Sequence, residues 1–298
     1  MTELQRYLAE EVVEDHQDGI ITRREAMRRL GLLGLGTAAA SALLAAPPAY
    51  AKARSSRGQD DDDDGGAVEE WAPIATEDIT FRGPNGTLMA AFAAADDPVG
   101  GVLVIHENRG LVPHIRQVAG RFAADGYSAL AIDLLSEEGG TAAIGDEAKV
   151  AAILASVDPE RFDEDMQAGV TELRDRVDGK PLATTGFCFG GGMVWRLLAA
   201  GEDRLAAAAP FYGPFPEGGD LRHARAAVLA IYGGLDARVG ATRPAAMAAM
   251  AAAGLKNHVL IFSEADHAFF NDTGARFNAS AAEEAFRRTL DWFGRFAS

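Results

Sequence analysis

Apolar positions along the chain follow two rhythms. Short apolar runs bounded by Gly, Pro, Asn or Asp alternate with longer stretches in which apolar residues recur every three or four positions. The runs at 102–105 (VLVI), 127–132 (YSALAI), 182–185 (LATT), 206–210 (AAAAP), 228–232 (VLAIY) and 258–262 (HVLIF) predict strands. The first is apolar throughout, as a strand covered on both faces must be. The longer stretches predict helices over 113–124, 142–156, 162–177, 192–200, 242–253 and 281–296, with Pro113 in the first turn of its helix, where it is tolerated. Upstream, 77–81 and 88–92 flank Gly83-Pro84-Asn85-Gly86 and predict an antiparallel hairpin. Strands alternating with helices require crossover connections. The expected fold is therefore α/β: a mostly parallel central sheet with helices on both faces, preceded by the hairpin.

The first 51 residues follow another pattern. A basic segment, ITRREAMRR, precedes the weakly apolar run LGLLGLGTAAASALLAA and then PPAYA. Basic region, apolar stretch and small-x-small site form the layout of an export signal cut after Ala51. Arg23-Arg24 preceded by Thr22 is similar to the twin-arginine signal, which engages the export machinery that moves folded proteins across a membrane. Ala26 and Met27 depart from the large apolar pair usual there. Gly, Ala, Ser and Thr dilute the apolar run, which disfavours a permanent span. The expectation is a periplasmic or extracellular protein; the alternatives are an uncleaved signal acting as membrane anchor, or an amphipathic N-terminal helix. The stretch before the arginines, TELQRYLAEEVVEDHQDG, is long and acidic for a leader and is compatible with a short helix. Residues 52–70 contain five consecutive aspartates, which repel one another and predict a solvated linker. The expected organisation is an export signal over 1–51, an acidic linker over 52–70 and an α/β domain over 71–298.

Composition narrows the function. The net charge of −16 argues against nucleic acid or an anionic lipid surface as partner. The six histidines lack metal-ligand spacing, and a lone cysteine forms neither an internal disulfide nor a Cys-rich zinc site, so no metal is expected.

That cysteine lies in Thr185-Gly186-Phe187-Cys188-Phe189-Gly190-Gly191-Gly192, between a predicted strand and a predicted helix. By itself it reads as a small core residue in a glycine-rich turn. It also has the form G-x-nucleophile-x-G, in which small residues two before and two after let the backbone fold back sharply. The following helix would aim its N-terminal N–H groups at the sulfur, favouring thiolate and any oxyanion beside it. Two further segments strengthen that reading. Ile231-Tyr232-Gly233-Gly234-Leu235-Asp236 puts a carboxylate just past one strand, and Phe262-Ser263-Glu264-Ala265-Asp266-His267 puts an imidazole just past the next. In a parallel sheet all three loops lie at the carboxyl edge. The imidazole can take the thiol proton and return it to a leaving group, and the carboxylate can fix the imidazole tautomer.

TGFCFGGG, GGLDARV and ADHAFF, with His106-Glu107-Asn108-Arg109-Gly110, resemble the dienelactone hydrolase family of the α/β-hydrolase fold, from about Ile79 to the C-terminus. The resemblance implies Cys188 as nucleophile, His267 as base, Asp236 as its orienting acid and Glu107 as an aid to deprotonating the thiol. It places the oxyanion hole at the backbone N–H groups of Phe189 and Asn108. The implied reaction is hydrolysis of a small-molecule ester or lactone through a thioester, without a cofactor. Family members that act on dienelactone carry an arginine four residues beyond the histidine; Asn271 stands there. Arg109 is an alternative anion anchor, or else a surface ion pair. Phe187, Tyr212 and Phe269 are candidate pocket residues, and core packing accounts equally for such aromatics. His106 reads as a structural hydrogen-bonder and Trp195 as core. The competing functions are a thioesterase or peptidase on the same residues, and an exported non-catalytic binding protein on a hydrolase fold. A redox protein is disfavoured, because no second cysteine resolves a disulfide.

Overall fold

The computed structural model describes residues 1–46 and 72–298. The expected cleavage site at Ala49-Tyr50-Ala51, the acidic linker at 52–70 and Trp71 fall outside the described residues.

Eight strands form one sheet: β1 (Glu77–Arg82), β2 (Thr87–Ala93), β3 (Gly100–Ile105), β4 (Tyr127–Asp133), β5 (Leu182–Phe187), β6 (Leu205–Phe211), β7 (Ala227–Gly233) and β8 (Asn257–Phe262), in the order β1-β2-β4-β3-β5-β6-β7-β8. β1 and β2 are the expected hairpin, and β2 runs antiparallel to β4. Every other pairing is parallel. The chain supplies α1 (Glu3–Gln17), α2 (Arg23–Leu32) and α3 (Thr37–Ala45) before the sheet. Within it come α4 (Pro113–Ala124), α5 (Thr141–Ile144), α6 (Glu147–Ser156), α7 (Pro159–Arg176), α8 (Phe189–Ala199), α9 (Ala237–Gly240), α10 (Arg243–Ala252) and α11 (Ala279–Phe296).

Strand order dictates where a site can form. The connection from β3 through α4 enters β4 on one side, and the connection from β4 returns past β3 to β5. Right-handed crossovers in opposite directions put their helices on opposite faces and open a crevice beyond the carboxyl ends of β3 and β5. α4 and α11 share one face, where Phe122 packs against Phe286 and Phe293 with ring centroids 5.0 and 5.9 Å apart. α7 and α8 meet through Phe162 and Phe189 at 5.7 Å. Each such buried phenylalanine contributes about 1.5–3 kcal/mol of apolar burial.

Two expected boundaries differ. The helix expected over 142–156 is broken, because Gly145 turns left-handed at φ 65° to end α5 and the Asp146 side chain caps α6 at the Ala148 N–H. α8 begins at Phe189 instead of 192, because the turn before it is the single residue Cys188.

The described N-terminal segment is helical. Thr2 and Gln5 form a reciprocal capping box on α1, and the Thr22 hydroxyl accepts from the Glu25 N–H at the start of α2. Leu8, Ala26, Leu30, Ala40 and Leu44 are buried in the same apolar cluster as the sheet. Among the described residues, no helix is long and apolar enough to cross a membrane.

Candidate active site

The turn after β5 shows why its glycines are needed. Cys188 has φ 56° and ψ −119°, a conformation costly for a residue with a Cβ, held by its N–H donating to the Phe211 carbonyl at 3.1 Å. A Cβ on Gly186 would lie 2.3 Å from the Gly190 carbonyl oxygen, and one on Gly190 would lie 2.3 Å from that of Ile105. Hydrogen at both positions lets α8 start directly against the sheet. Phe189 opens α8, so its N–H is among the first-turn donors with no acceptor inside the helix.

Register then brings the partners level. Ile105 of β3 pairs with Gly186 of β5, so Glu107 and Cys188 each lie two residues beyond a matched pair. Gly233 of β7 pairs with Phe262 of β8, which sends the loops bearing Asp236 and His267 out side by side. Asp236 caps α9, its Oδ1 accepting from the Val239 N–H at 2.9 Å, while its Oδ2 lies 2.6 Å from His267 Nδ1. With the Nδ1 proton donated to that carboxylate, the other imidazole nitrogen is free for chemistry. His267 Nε2 has no hydrogen-bond partner among the described residues, and an imidazole nitrogen lies within 4.8 Å of Cys188 Sγ. Cys188, Asp236, His267 and Glu107 are 2%, 2%, 1% and 3% exposed, so water screens them poorly.

Burial would lower the His267 imidazole, but the Asp236 carboxylate and then the thiol outweigh it and hold the imidazole well above its ordinary value. Asp236 is the converse: burial would raise it, and the His267 charge keeps it low. Burial pushes the Cys188 thiol up, and a nearby carboxylate, Glu11, pushes it further against the pull of His267.

Glu107 Oε2 accepts from the Asn271 amide at 2.6 Å, and its Oε1 is buried with no partner among the described residues. Position 271 thus carries a hydrogen-bond donor to Glu107 in place of a cation. Asn108 follows Glu107 in the turn after β3, and its side-chain amide donates to Glu11 Oε1 at 2.9 Å. His106 is structural in its contacts. Its Nε2 accepts from the Leu134 N–H at 3.1 Å, which leaves Nδ1–H to donate to the Glu107 carbonyl at 2.7 Å.

The remaining candidates divide. Tyr212, at φ 35°, sets its ring edge-on to His267 at 5.2 Å. Phe187 packs with Phe211 and Phe270 at 4.8 and 5.0 Å, and Phe269 packs with Tyr212 and Phe262; both are buried in this aromatic cluster. Arg109 pairs with Glu147 at 3.4 Å as a half-exposed ion pair. Trp195 is buried against Phe215.

Three residues at the site went unsingled in the sequence. Tyr7 and Glu11 of α1 reach the sulfur: the phenol oxygen is 3.3 Å from Sγ, and the carboxylate oxygens are 3.5 and 3.6 Å away. Arg238, two residues past Asp236, stacks over the Tyr7 ring at 4.5 Å. The available signal was the spacing of Tyr7, Glu11 and Asp15, which puts them on one helix face. Glu11, Cys188 and His267 each offer a ligand atom within 4.8 Å of the others, a donor set able to hold a metal ion.

The model of the family described as "Dienelactone hydrolase family" matches residues 88–297. A protein of Escherichia coli O157:H7 named "Putative carboxymethylenebutenolidase" is 31% identical over 232 residues, covering 71% of this chain and 84% of that protein. A Saccharolobus solfataricus protein of the same name is 26% identical and covered over 98% of its length. The crystal structure of a "Putative Dienelactone Hydrolase" from Klebsiella pneumoniae superposes with a TM-score of 0.67 at 26% identity, over 74% of this chain and 98% of that one. A dienelactone hydrolase from Anabaena variabilis shares the fold at a TM-score of 0.60 and 19% identity, over 75% of this chain and 100% of that one. With its sheet order, its strained turn at Cys188 and a family match from β2 to the end of α11, the chain belongs to the dienelactone hydrolase family, a family of hydrolases.

Proposed function

We propose that this chain hydrolyses carboxylic esters or lactones with Cys188 as nucleophile, His267 as general base and acid, and Asp236 as the group that orients His267. The observation carrying this reading is the Asp236–His267 contact of 2.6 Å, with the second imidazole nitrogen left facing a cysteine on a strained turn. His267 takes the Sγ proton as sulfur bonds to the acyl carbon. The carbonyl oxygen becomes an oxyanion between the N–H groups of Phe189 and Asn108. Collapse breaks the carbon–oxygen bond to the alcohol, which leaves with the proton from His267, and a thioester remains. Water, deprotonated by His267, attacks the thioester carbon; the acid departs and the proton returns to sulfur. In a lactone the alcohol and acid stay in one molecule. Glu107 assists the thiol's deprotonation when substrate arrives. No cofactor enters these steps.

In the same reading the leader directs the folded chain out of the cytoplasm by a twin-arginine route, with cleavage after Ala51. Arg23 and Arg24 are exposed at the start of α2, as recognition by an export machinery would require. Replacing both by Lys should abolish export; unchanged export removes that part of the reading.

The hydrolase reading is tested with short p-nitrophenyl esters and small lactones, offered to the full-length and leader-cleaved chains. Turnover lost in Cys188→Ala, and an acid-quenched wild-type chain heavier by one acyl group at Cys188, are the expected results. Turnover that survives Cys188→Ala, or no turnover and no acylation in either form, ends the proposal.

A further inference from the structure

The N-terminal helix closes the site it precedes. Tyr7, Glu11, Asp15 and Asp18 recur at intervals of four, four and three, which forms one stripe on and just past α1. Each residue of that stripe meets a partner in the α/β domain. Tyr7 and Glu11 meet Cys188 Sγ, and Glu11 Oε1 also accepts from Asn108. Asp15 and Asp18 accept from Arg276 at 2.8 and 2.7 Å, and Glu14 accepts from Arg238 at 3.3 Å. At the start of the helix, Glu3 accepts from the Glu217 N–H at 2.8 Å. Leu8 and Val12 bury the apolar side of the same helix. The contacts therefore run along the whole of α1, and the acidic helix is matched by two arginines at the mouth. Loose packing of an export leader against a surface would not select this pattern.

The chemistry of the contact is inhibitory. A substrate carbonyl must approach Sγ within bonding distance while its oxygen reaches the N–H groups of Phe189 and Asn108. Tyr7 and Glu11 occupy the space in front of the sulfur. The Glu11 carboxylate also accepts the thiol hydrogen bond, so the proton that must leave toward His267 is held by another base.

We propose that the mouth over Cys188 is a docking surface for an acidic helix, and that α1 is its resident occupant, an intramolecular inhibitor that keeps the folded enzyme latent while the leader is attached. This rests on Cys188 being the nucleophile. The twin arginines remain exposed on α2 while α1 is docked, so the address and the inhibitor occupy different faces of one leader.

The test uses the lone thiol of the full-length chain. Iodoacetamide labelling of Cys188 is timed in wild type, in Asp15→Lys/Asp18→Lys and in Tyr7→Ala/Glu11→Ala. The first variant alters only partly buried carboxylates of the leader, so the α/β domain stays folded, which near-ultraviolet circular dichroism verifies. Labelling should be about tenfold faster in the Asp15/Asp18 variant, the factor expected when two ion pairs that hold the helix become repulsive, and faster again in the Tyr7/Glu11 variant. Ester turnover should rise in the same order. Equal labelling rates in all three folded chains overturn the proposal. If labelling accelerates but no ester is ever hydrolysed, the inhibitor contact stands and the hydrolase reading falls.

Discussion

The loops beyond four strand ends and the N-terminal helix both bring polar side chains to Cys188, by opposite constructions. Glu107, Cys188, Asp236 and His267 come from the ends of four strands, and each is placed by sheet register and by tight backbone contacts. Tyr7 and Glu11 come from one helix, placed by its own periodicity and by ion pairs at its far end. The helix is held by ion pairs worth up to about 1 kcal/mol each and by the burial of Leu8 and Val12.

That contrast can be broken or sharpened by experiment. The largest effect is expected at Asp236→Asn. Its amide would favour the wrong imidazole tautomer without moving the loop, and kcat should fall on the order of ten-thousand-fold, as for the equivalent change in serine proteases. A leader-cleaved chain with unimpaired kcat would show that the carboxylate does not orient His267. Next is Gly190→Ala. With its Cβ at 2.3 Å from a backbone oxygen, the elbow must shift, and denaturant unfolding should report a loss of about 3 kcal/mol or more. Leu8→Ala on α1 should instead leave the main unfolding transition in place and raise the Cys188 labelling rate; loss of the main transition would mean that leader and domain fold as one unit.

The smallest effect concerns Asp165, on α7. Burial, reinforced by Glu137, pushes its carboxyl up to about 7 against the pull of Arg161. The folded chain therefore keeps a proton that the unfolded chain has released, and this group's contribution to stability declines as pH rises from the ordinary carboxylate range through about 7. Asp165→Asn should melt a few degrees above wild type at pH 8, with the difference closing toward pH 4. A difference that widens at low pH would show the wrong sign.

What was legible in the sequence follows the same division. The sheet, the sharp turn at Cys188 and the convergence of the loops after β5, β7 and β8 could be read because they depend on local patterns. A buried strand is apolar throughout, a sharp turn needs small neighbours, and parallel strands deliver their next residues to one edge. The break at Gly145 and the early start of α8 were missed, since a glycine inside an apolar periodicity does not announce that its φ will be positive. Arg109 read as an anion anchor or, the favoured alternative, as a surface ion pair, and its pairing with Glu147 is the latter. The partnership of Glu11 with Cys188 joins residues 177 positions apart, and no local pattern carries such a contact. Asn271 was noticed as a missing cation; its bond to Glu107 could be seen only with β3 and the loop after β8 in place.

The covalent connection between α3 and β1 has a kinetic meaning for the proposed inhibitor. A helix on the same chain as its site meets that site at an effective concentration that does not depend on the dilution of the protein. Severing the connection turns a unimolecular equilibrium into a bimolecular one. If α1 is the inhibitor, one peptide-bond cleavage followed by dilution would then act as an irreversible ignition.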